Sequence, residues 1–370
     1  MTDVIIIGAG VMGCATFYFL SKEGVRAELI EQKSVAHGAS GVSAAMLEIF
    51  GYRYRFNQLN PLRQLAEKSI KIHSFLHLKL KTETGIDVGY GKVPCIIPAF
   101  YPREENQLKK ACEKFGKENS SIEWYKAEQL RLFEERINDD VLGGIVYQQA
   151  QLNAKDFSEA LLKAGEKSGG KYSKGKVIGL EVKKNQVCGV KTETGKTIKA
   201  NKVIITMGPW SANVSEWIKQ EMPIYPVRGQ ILELEVKDPQ LKGSIYWNDK
   251  YLAKKTNGVT LAGATEEHDS GFHNITTDLG RNEIINAVKT ITPSLEQSKI
   301  LKHRVGLRPC SSDGLPVIGE TARVKGAYVL SGHFRSGILL STGSAEIIKN
   351  IVLGKKQEEF TEVFSPDRFL

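Results

Sequence analysis

The sequence predicts an α/β fold in which a parallel-sheet domain is interrupted by a second, sheet-rich domain. Three observations predict it. The chain opens as strand, glycine turn, helix and strand; it closes as strand, turn and helix; and short strands dominate between residues 176 and 265.

The opening unit is the most legible. Val4 to Ile7 is a continuous apolar run rich in β-branched residues, the pattern of a parallel strand buried on both faces. Gly8-Ala9-Gly10-Val11-Met12-Gly13 follows, then a helical stretch from Cys14 to Lys22 that stops at Gly24, then a second strand from Ala27 to Ile30 that ends in Glu31. Helical character returns over Leu62 to Lys81 and Glu104 to Lys117. Asp156 to Glu166 reads as a further helix, because Phe157, Ala160, Leu161 and Ala164 recur on one face.

Lys176 to Val182, Val187 to Glu193 and Thr197 to Ala200 are short strands separated by turn-like Lys183-Lys184-Asn185 and Thr194-Gly195-Lys196, a β-meander. Val203 to Thr206 is another buried strand, ending at Gly208-Pro209-Trp210. Residues 223–265 are strand-rich, including Gln230 to Val236 and Val259 to Ala264. The end of the chain is strand Ala327 to Ser331, the turn Gly332 to Gly337, and a helix from Ile338 to Leu353 that stops at Gly354.

At roughly 100 to 200 residues per domain, 370 residues suffice for two domains with their own cores. No apolar run is long enough to span a membrane, and the N-terminus carries no basic stretch ahead of its apolar strand, so neither a span nor a signal peptide is expected. The five cysteines are odd in number, scattered and without a C-x-x-C pair, which argues against a disulfide framework or a zinc site and fits a reducing cytoplasm. The net charge of +9 is spread along the chain with no nucleic-acid-binding signature, so a solvated lysine-rich surface is expected rather than a nucleic-acid partner. Sequons at Asn119, Asn213 and Asn274 are read as chance matches.

The chemistry begins at the glycine turn. Gly8 permits the tight exit from the strand, Gly10 lets backbone approach a pyrophosphate, and Gly13 lets helix and strand pack closely, while the helix N-terminus adds partial positive charge. Glu31, at the end of the second strand, is placed to accept hydrogen bonds from a ribose. A G-x-G-x-x-G alone is a weak signal; strand, glycines, helix and acid in register indicate dinucleotide binding.

That fingerprint does not separate FAD from NAD, and two features favour FAD. The small residues from Ala39 to Met46 would admit a second, larger part of a cofactor to the backbone. The Gly332 to Gly337 turn opens a helix whose dipole, with Arg335, would lie beside a group that becomes negative, as a reduced flavin does.

The sequence resembles the glycine oxidase branch of the D-amino acid oxidase and sarcosine oxidase superfamily. The resemblance is carried in order along the chain by Gly8 to Gly13 with Glu31, Ser43-Ala44-Ala45-Met46-Leu47, Pro226-Val227-Arg228-Gly229-Gln230, Gly263-Ala264-Thr265, Gly306-Leu307-Arg308-Pro309 with Asp313 to Gly319, and Gly332 to Leu340. It implies a discontinuous Rossmann-like FAD-binding domain (residues 1–84, 144–210 and 303–370) and a substrate domain (85–143 and 211–302) whose sheet roofs the flavin.

Expected cofactor-binding residues are Gly8, Gly10, Val11, Met12, Gly13, Glu31, Gln32, Ala39, Ser40, Ser43, Ala44, Ala45, Met46, Val177, Gly208 and Trp210. The C-terminal turn adds His333, Phe334, Arg335, Ser336, Gly337, Ile338 and Leu339. His333 is assigned contact with the flavin rather than base catalysis. The resemblance places Arg308 and Tyr251 on a substrate carboxylate, with Arg335 beside flavin and substrate.

For Arg308 the residues themselves agree. An arginine among Gly306, Leu307 and Pro309 needs an anion, and its planar fork suits a carboxylate; the alternative is a protein acid such as Asp313. Tyr251 rests on the resemblance alone.

Departures are informative. The family's glycine oxidases carry methionine directly after the Gly-Ala-Thr strand, where this chain has Glu266. Either Glu266 enters the cavity and meets a cationic group of the substrate, or it belongs to a solvated acidic loop. The sarcosine oxidases hold a lysine over the flavin, absent from Leu261 to Glu266, and link the flavin through a cysteine at a position Cys310 does not match. FAD is therefore expected to be non-covalent.

Oxidation of the Cα–N bond of a small amino acid, with hydride transfer to the flavin and dioxygen as acceptor, is the expected activity. No side-chain nucleophile and no metal are called for, and a homo-oligomer is compatible with the sequence. The alternatives are a dehydrogenase that passes electrons to a quinone or carrier, a 2-hydroxy-acid oxidising flavoenzyme, and a nucleic-acid-binding flavoprotein without turnover.

Overall fold

The structure is a computed structural model that describes residues 2–56, 58–116 and 122–370; Lys117 and the sequon at Asn119 lie outside them. Eighteen strands, numbered along the chain, form three sheets among those residues.

The first sheet has the order β17 (Val317–Glu320), β18 (Ala327–Ser331), β11 (Lys202–Ile205), β1 (Val4–Ile7), β2 (Ala27–Glu31) and β7 (Lys171–Lys174). Its neighbours are parallel except β17 and β18. The unbroken apolar run of β1 follows from cover on both faces. Val4 and Ile6 pack with the helices Val11–Lys22, Ala154–Lys167 and Gly337–Val352, whereas Ile5 and Ile7 join Val177, Val187 and Val190 of the second sheet. That second sheet is the expected meander, β8 (Val177–Lys183), β9 (Gln186–Thr192) and β10 (Thr197–Lys199).

The third sheet runs β16 (Lys299–Ser311), β12 (Ile224–Glu235), β15 (Val259–Gly263), β14 (Lys250–Lys254), β13 (Ser244–Trp247), β4 (Gly91–Ala99), β6 (Gly143–Gln151) and β3 (Met46–Leu47), with β5 (Glu123–Lys126) paired to β6. The sequence concealed much of it. Strand β4 contains Pro94 and Pro98, and β16 mixes lysines, glycine and proline, so neither shows clean alternation. Two of the expected domain changes, at 143/144 and 302/303, fall inside the continuous strands β6 and β16.

The long antiparallel pairing of β12 with β16 positions the site, because it sets Val227 opposite Arg308 and Gly229 opposite Gly306. All five cysteines are free. No helix among the described residues is long and apolar enough to cross a membrane.

Candidate active site

A cavity of about 610 Å³ extends from the glycine fingerprint to the face of the nine-stranded sheet. At its first end the three glycines do different work. Gly8 has φ +104°, and a Cβ there would fall 2.8 Å from the Thr206 carbonyl oxygen. A Cβ on Gly13 would lie 1.9 Å from the Gly8 carbonyl, so Gly13 acts by packing and does not line the cavity. Gly10 is open: its Cβ would meet only Ser40 Oγ, at 3.4 Å, leaving a cradle before the helix Val11–Lys22. Val11 N–H, in the first turn, donates to Ser40 Oγ at 3.0 Å.

The Glu31 carboxylate is pinned by backbone. It accepts from Ala9 N–H at 2.8 Å and Lys33 N–H at 2.7 Å, which fixes it at the cavity wall with lone pairs left for ribose hydroxyls. Met12, Gln32, Val177, Gly208 and Trp210 line the same space, as does Trp217, which the sequence did not single out.

Ala39, Ser40 and residues 43–46 line the next part. This segment is a short helix, Ala39–Val42, followed by a bend in which Ser43 Oγ accepts from Ala45 N–H at 3.1 Å and Ala45 adopts φ +51°. Two cations fasten its backbone. Arg304 Nη2 donates to Gly41 O at 3.0 Å while Nη1 pairs with Glu233 at 2.9 Å. Lys255 Nζ, buried, donates to Ala44 O at 2.9 Å and to Leu152 O at 2.8 Å. Burial pulls the Lys255 pKa down to about 8.

The C-terminal turn closes the far wall. Gly332 and Phe334 take positive φ, +78° and +47°, and residues 333–339 all line the cavity. His333 Nε2 lies 2.9 Å from Ser344 Oγ, and burial pushes its pKa down to about 3, so the ring is neutral. Tyr52 OH donates to Ser336 Oγ, a contact that the sequence did not indicate.

Arg308 projects into this end. Nη1 donates to the Thr265 carbonyl at 2.9 Å, and no carboxylate pairs with the guanidinium among the described residues. Asp313, the sequence alternative, pairs instead with Arg368 at 2.7 Å. Burial first, and then the neighbouring Arg335 cation, lower the Arg308 pKa. Space for the side chain comes from Gly229, where a Cβ would fall 2.3 Å from Arg308 Nη2. Gly229 stood in a conspicuous sequence block, but its role depends on a strand register that sequence does not supply.

Tyr251, 8% exposed, lines the same end, together with Tyr246, Tyr52 and Glu48. Glu48 Oε1 accepts from Gly51 N–H at 2.8 Å. Arg335 is held from two sides, donating to Glu266 Oε2 at 2.9 Å and to Asp249 O at 2.8 Å. Glu266 does not line the cavity: it is an exposed loop residue after β15, paired with Arg335 and, at 3.0 Å, with His268. Cys310 is buried and also outside the lining.

A glycine cradle at a helix N-terminus, a carboxylate in the cavity wall at the end of the next strand, and a continuous cavity beyond them fit an extended dinucleotide with a second ring system. The FAD dependent oxidoreductase family profile matches residues 3–351. Glycine oxidase of Geobacillus kaustophilus (strain HTA426) is 28% identical over 358 residues, covering 96% of this chain and 93% of that protein. The crystal structure of glycine oxidase from Bacillus cereus ATCC 14579 superposes with a TM-score of 0.89 at 27% identity, covering 98% of each chain. That of glycine oxidase from Geobacillus kaustophilus gives 0.90 at 26% identity, covering 100% of this chain and 99% of that one. Cradle, cavity and whole-chain match together make this chain a member of the FAD-dependent oxidoreductase (DAO) family, an enzyme whose cofactor is FAD.

Proposed function

We propose that the protein oxidises the Cα–N bond of a small amino acid of the glycine, sarcosine or D-amino acid type. The observation that carries this reading is Arg308, a part-buried guanidinium in the cavity wall without a carboxylate partner among the described residues. A partly desolvated cation in a cavity wall favours a counter-ion, and a substrate carboxylate would both supply it and match the guanidinium fork. The names of the two glycine oxidases support the same substrate class.

In this reading Gly10, Glu31 and residues 39–46 and 333–339 hold FAD non-covalently; the absence of cysteine from the cavity lining supports the lack of a cysteinyl link. The FAD-binding part would be built around the parallel sheet, with residues of the nine-stranded sheet lining the substrate end of the cavity. The flavin, when bound, supplies the acceptor for the hydride that leaves Cα.

The chain's own residues orient the substrate. Thr265 O fixes one Nη1 proton of Arg308, which leaves the remaining fork for the carboxylate, and the Tyr251 hydroxyl donates to the same group. Loss of a hydride from Cα and a proton from nitrogen gives an imine. Water then adds to the imine carbon and expels ammonia or amine, leaving a 2-oxo acid, while dioxygen takes the two electrons and two protons to become hydrogen peroxide.

Anaerobic mixing with glycine, sarcosine and D-amino acids tests the proposal. The expected result is bleaching of the flavin absorbance by at least one of them, and recovery of colour with hydrogen peroxide on admission of air. Persistent yellow colour with every amine overturns the reaction class. Bleaching reversed by a quinone and not by air overturns the acceptor.

A further inference from the structure

The two guanidiniums of the substrate end are satisfied very differently. Arg308 has one carbonyl partner, Thr265 O, and no carboxylate among the described residues. Arg335 has Glu266 Oε2 at 2.9 Å, Asp249 Oδ1 at 3.7 Å and the Asp249 carbonyl at 2.8 Å. The residue that ties down Arg335 follows directly on the one that holds Arg308, so one short stretch of backbone after β15 fixes both cations.

We propose that Glu266 is a specificity-determining residue: by occupying Arg335 it leaves Arg308 as the cation available to the substrate, so the site takes an amine with one carboxylate and rejects a second carboxylate near Arg335. The inference rests on the reading that Arg308 holds the substrate carboxylate. Glu266 stays ionised near neutral pH, because its pairing with His268 and Arg335 outweighs the upward push of burial. A second substrate carboxylate would therefore have to displace Glu266 from Arg335 or lie beside it as a like charge. Both Arg335 and Glu266 are only partly exposed, 23% and 32% at the side chain, so solvent screens this repulsion incompletely.

The test uses the FAD-loaded enzyme and two carboxylates that carry no oxidisable amine, acetate and malonate, each titrated by perturbation of the flavin absorbance. In the unsubstituted protein malonate is expected to bind no more tightly than acetate. Glu266→Gln keeps an oxygen for Arg335 but removes the negative charge, and is expected to tighten malonate relative to acetate by about tenfold. Glu266→Met, judged by the same ratio in a preparation with normal FAD content, serves as the second variant.

An acetate-to-malonate ratio that is the same in all three proteins overturns the inference, as does malonate binding better than acetate before any substitution. Arg308→Ala separates this from failure of the underlying reading. If acetate binding survives that substitution unchanged, the carboxylate assignment of Arg308 falls, whereas an unaltered ratio with Arg308-dependent acetate binding removes the role of Glu266 alone.

Discussion

The guanidinium of Arg308 lies against the backbone of Gly229, so close that a Cβ on Gly229 would fall 2.3 Å from Nη2 and 2.4 Å from Cζ. The two residues come from adjacent antiparallel strands, β16 and β12, and the absent side chain of one is the space for the other. Gly229→Ala is therefore expected to keep the flavin spectrum but push the fork off its position, lowering kcat/KM by about a hundredfold. Misplacement of a binding group by even about 1 Å costs on that scale. Steady-state kinetics beside a spectrum of the purified variant check it, and normal kcat/KM would mean that Arg308 does not work from this position.

Arg308→Ala should lose transition-state stabilisation of about 3 kcal/mol or more, because anchoring and orientation disappear together. Arg308→Lys should recover only part of it, since an ammonium lacks the planar fork that also reaches Thr265 O. Near-normal kinetics for the alanine variant would transfer the carboxylate to another cation, with Arg335 next in line.

Much of this site was legible because its chemistry lies in contiguous stretches. The fingerprint, Glu31, the Ala39 to Met46 segment and the Gly332 to Leu339 turn each declare themselves locally, and all but Gly13 of the residues expected at the cofactor line one cavity. What stayed hidden depends on register and distant pairing. Tyr52 meets Ser336 from 284 residues away, Gly229 matters only through β12 and β16, and the Arg335 partner of Glu266 is 69 residues away. The fold divides in the same way: β1, with apolar cover on both faces, was plain, whereas the proline-bearing β4 and the charged β16 pass for loop until their partners are known.

Gly10 and Gly13 should fail differently when substituted. A Cβ on Gly10 has room, with Ser40 Oγ alone nearby at 3.4 Å, so Gly10→Val is expected to fold and to purify colourless because the branched side chain fills the pyrophosphate cradle. A Cβ on Gly13 would overlap the Gly8 carbonyl at 1.9 Å, so Gly13→Ala should lower stability itself, by several degrees in Tm. Circular dichroism melts compared with flavin content separate the two. A yellow Gly10→Val protein would refute the cradle.

Lys255 fastens the Ala39 to Met46 segment from below. Its ammonium is buried among carbonyls rather than acids, bridging Ala44 O and Leu152 O beneath the segment that lines the cavity at Ala44 and Ala45. Lys255→Met should strand both carbonyls at about 1–3 kcal/mol each and loosen that segment, weakening FAD binding by about tenfold or more. The pH dependence identifies the cause. Burial lowers the pKa from 10.5 to about 8, so between those values the unfolded chain holds a proton that the folded chain has released. The contribution of Lys255 to stability therefore rises as pH increases from about 8 towards 10.5, by up to about 1.4 kcal/mol per pH unit, and is lost as pH falls through about 8. A neutral amine still has two N–H donors for the two carbonyls, so deprotonation removes the buried charge without breaking the bridge. Denaturant unfolding at pH 7.5, 9 and 10 should show the unsubstituted protein gaining on Lys255→Met across this range, and parallel profiles for the two proteins would rule out a buried, titrating bridge at this position.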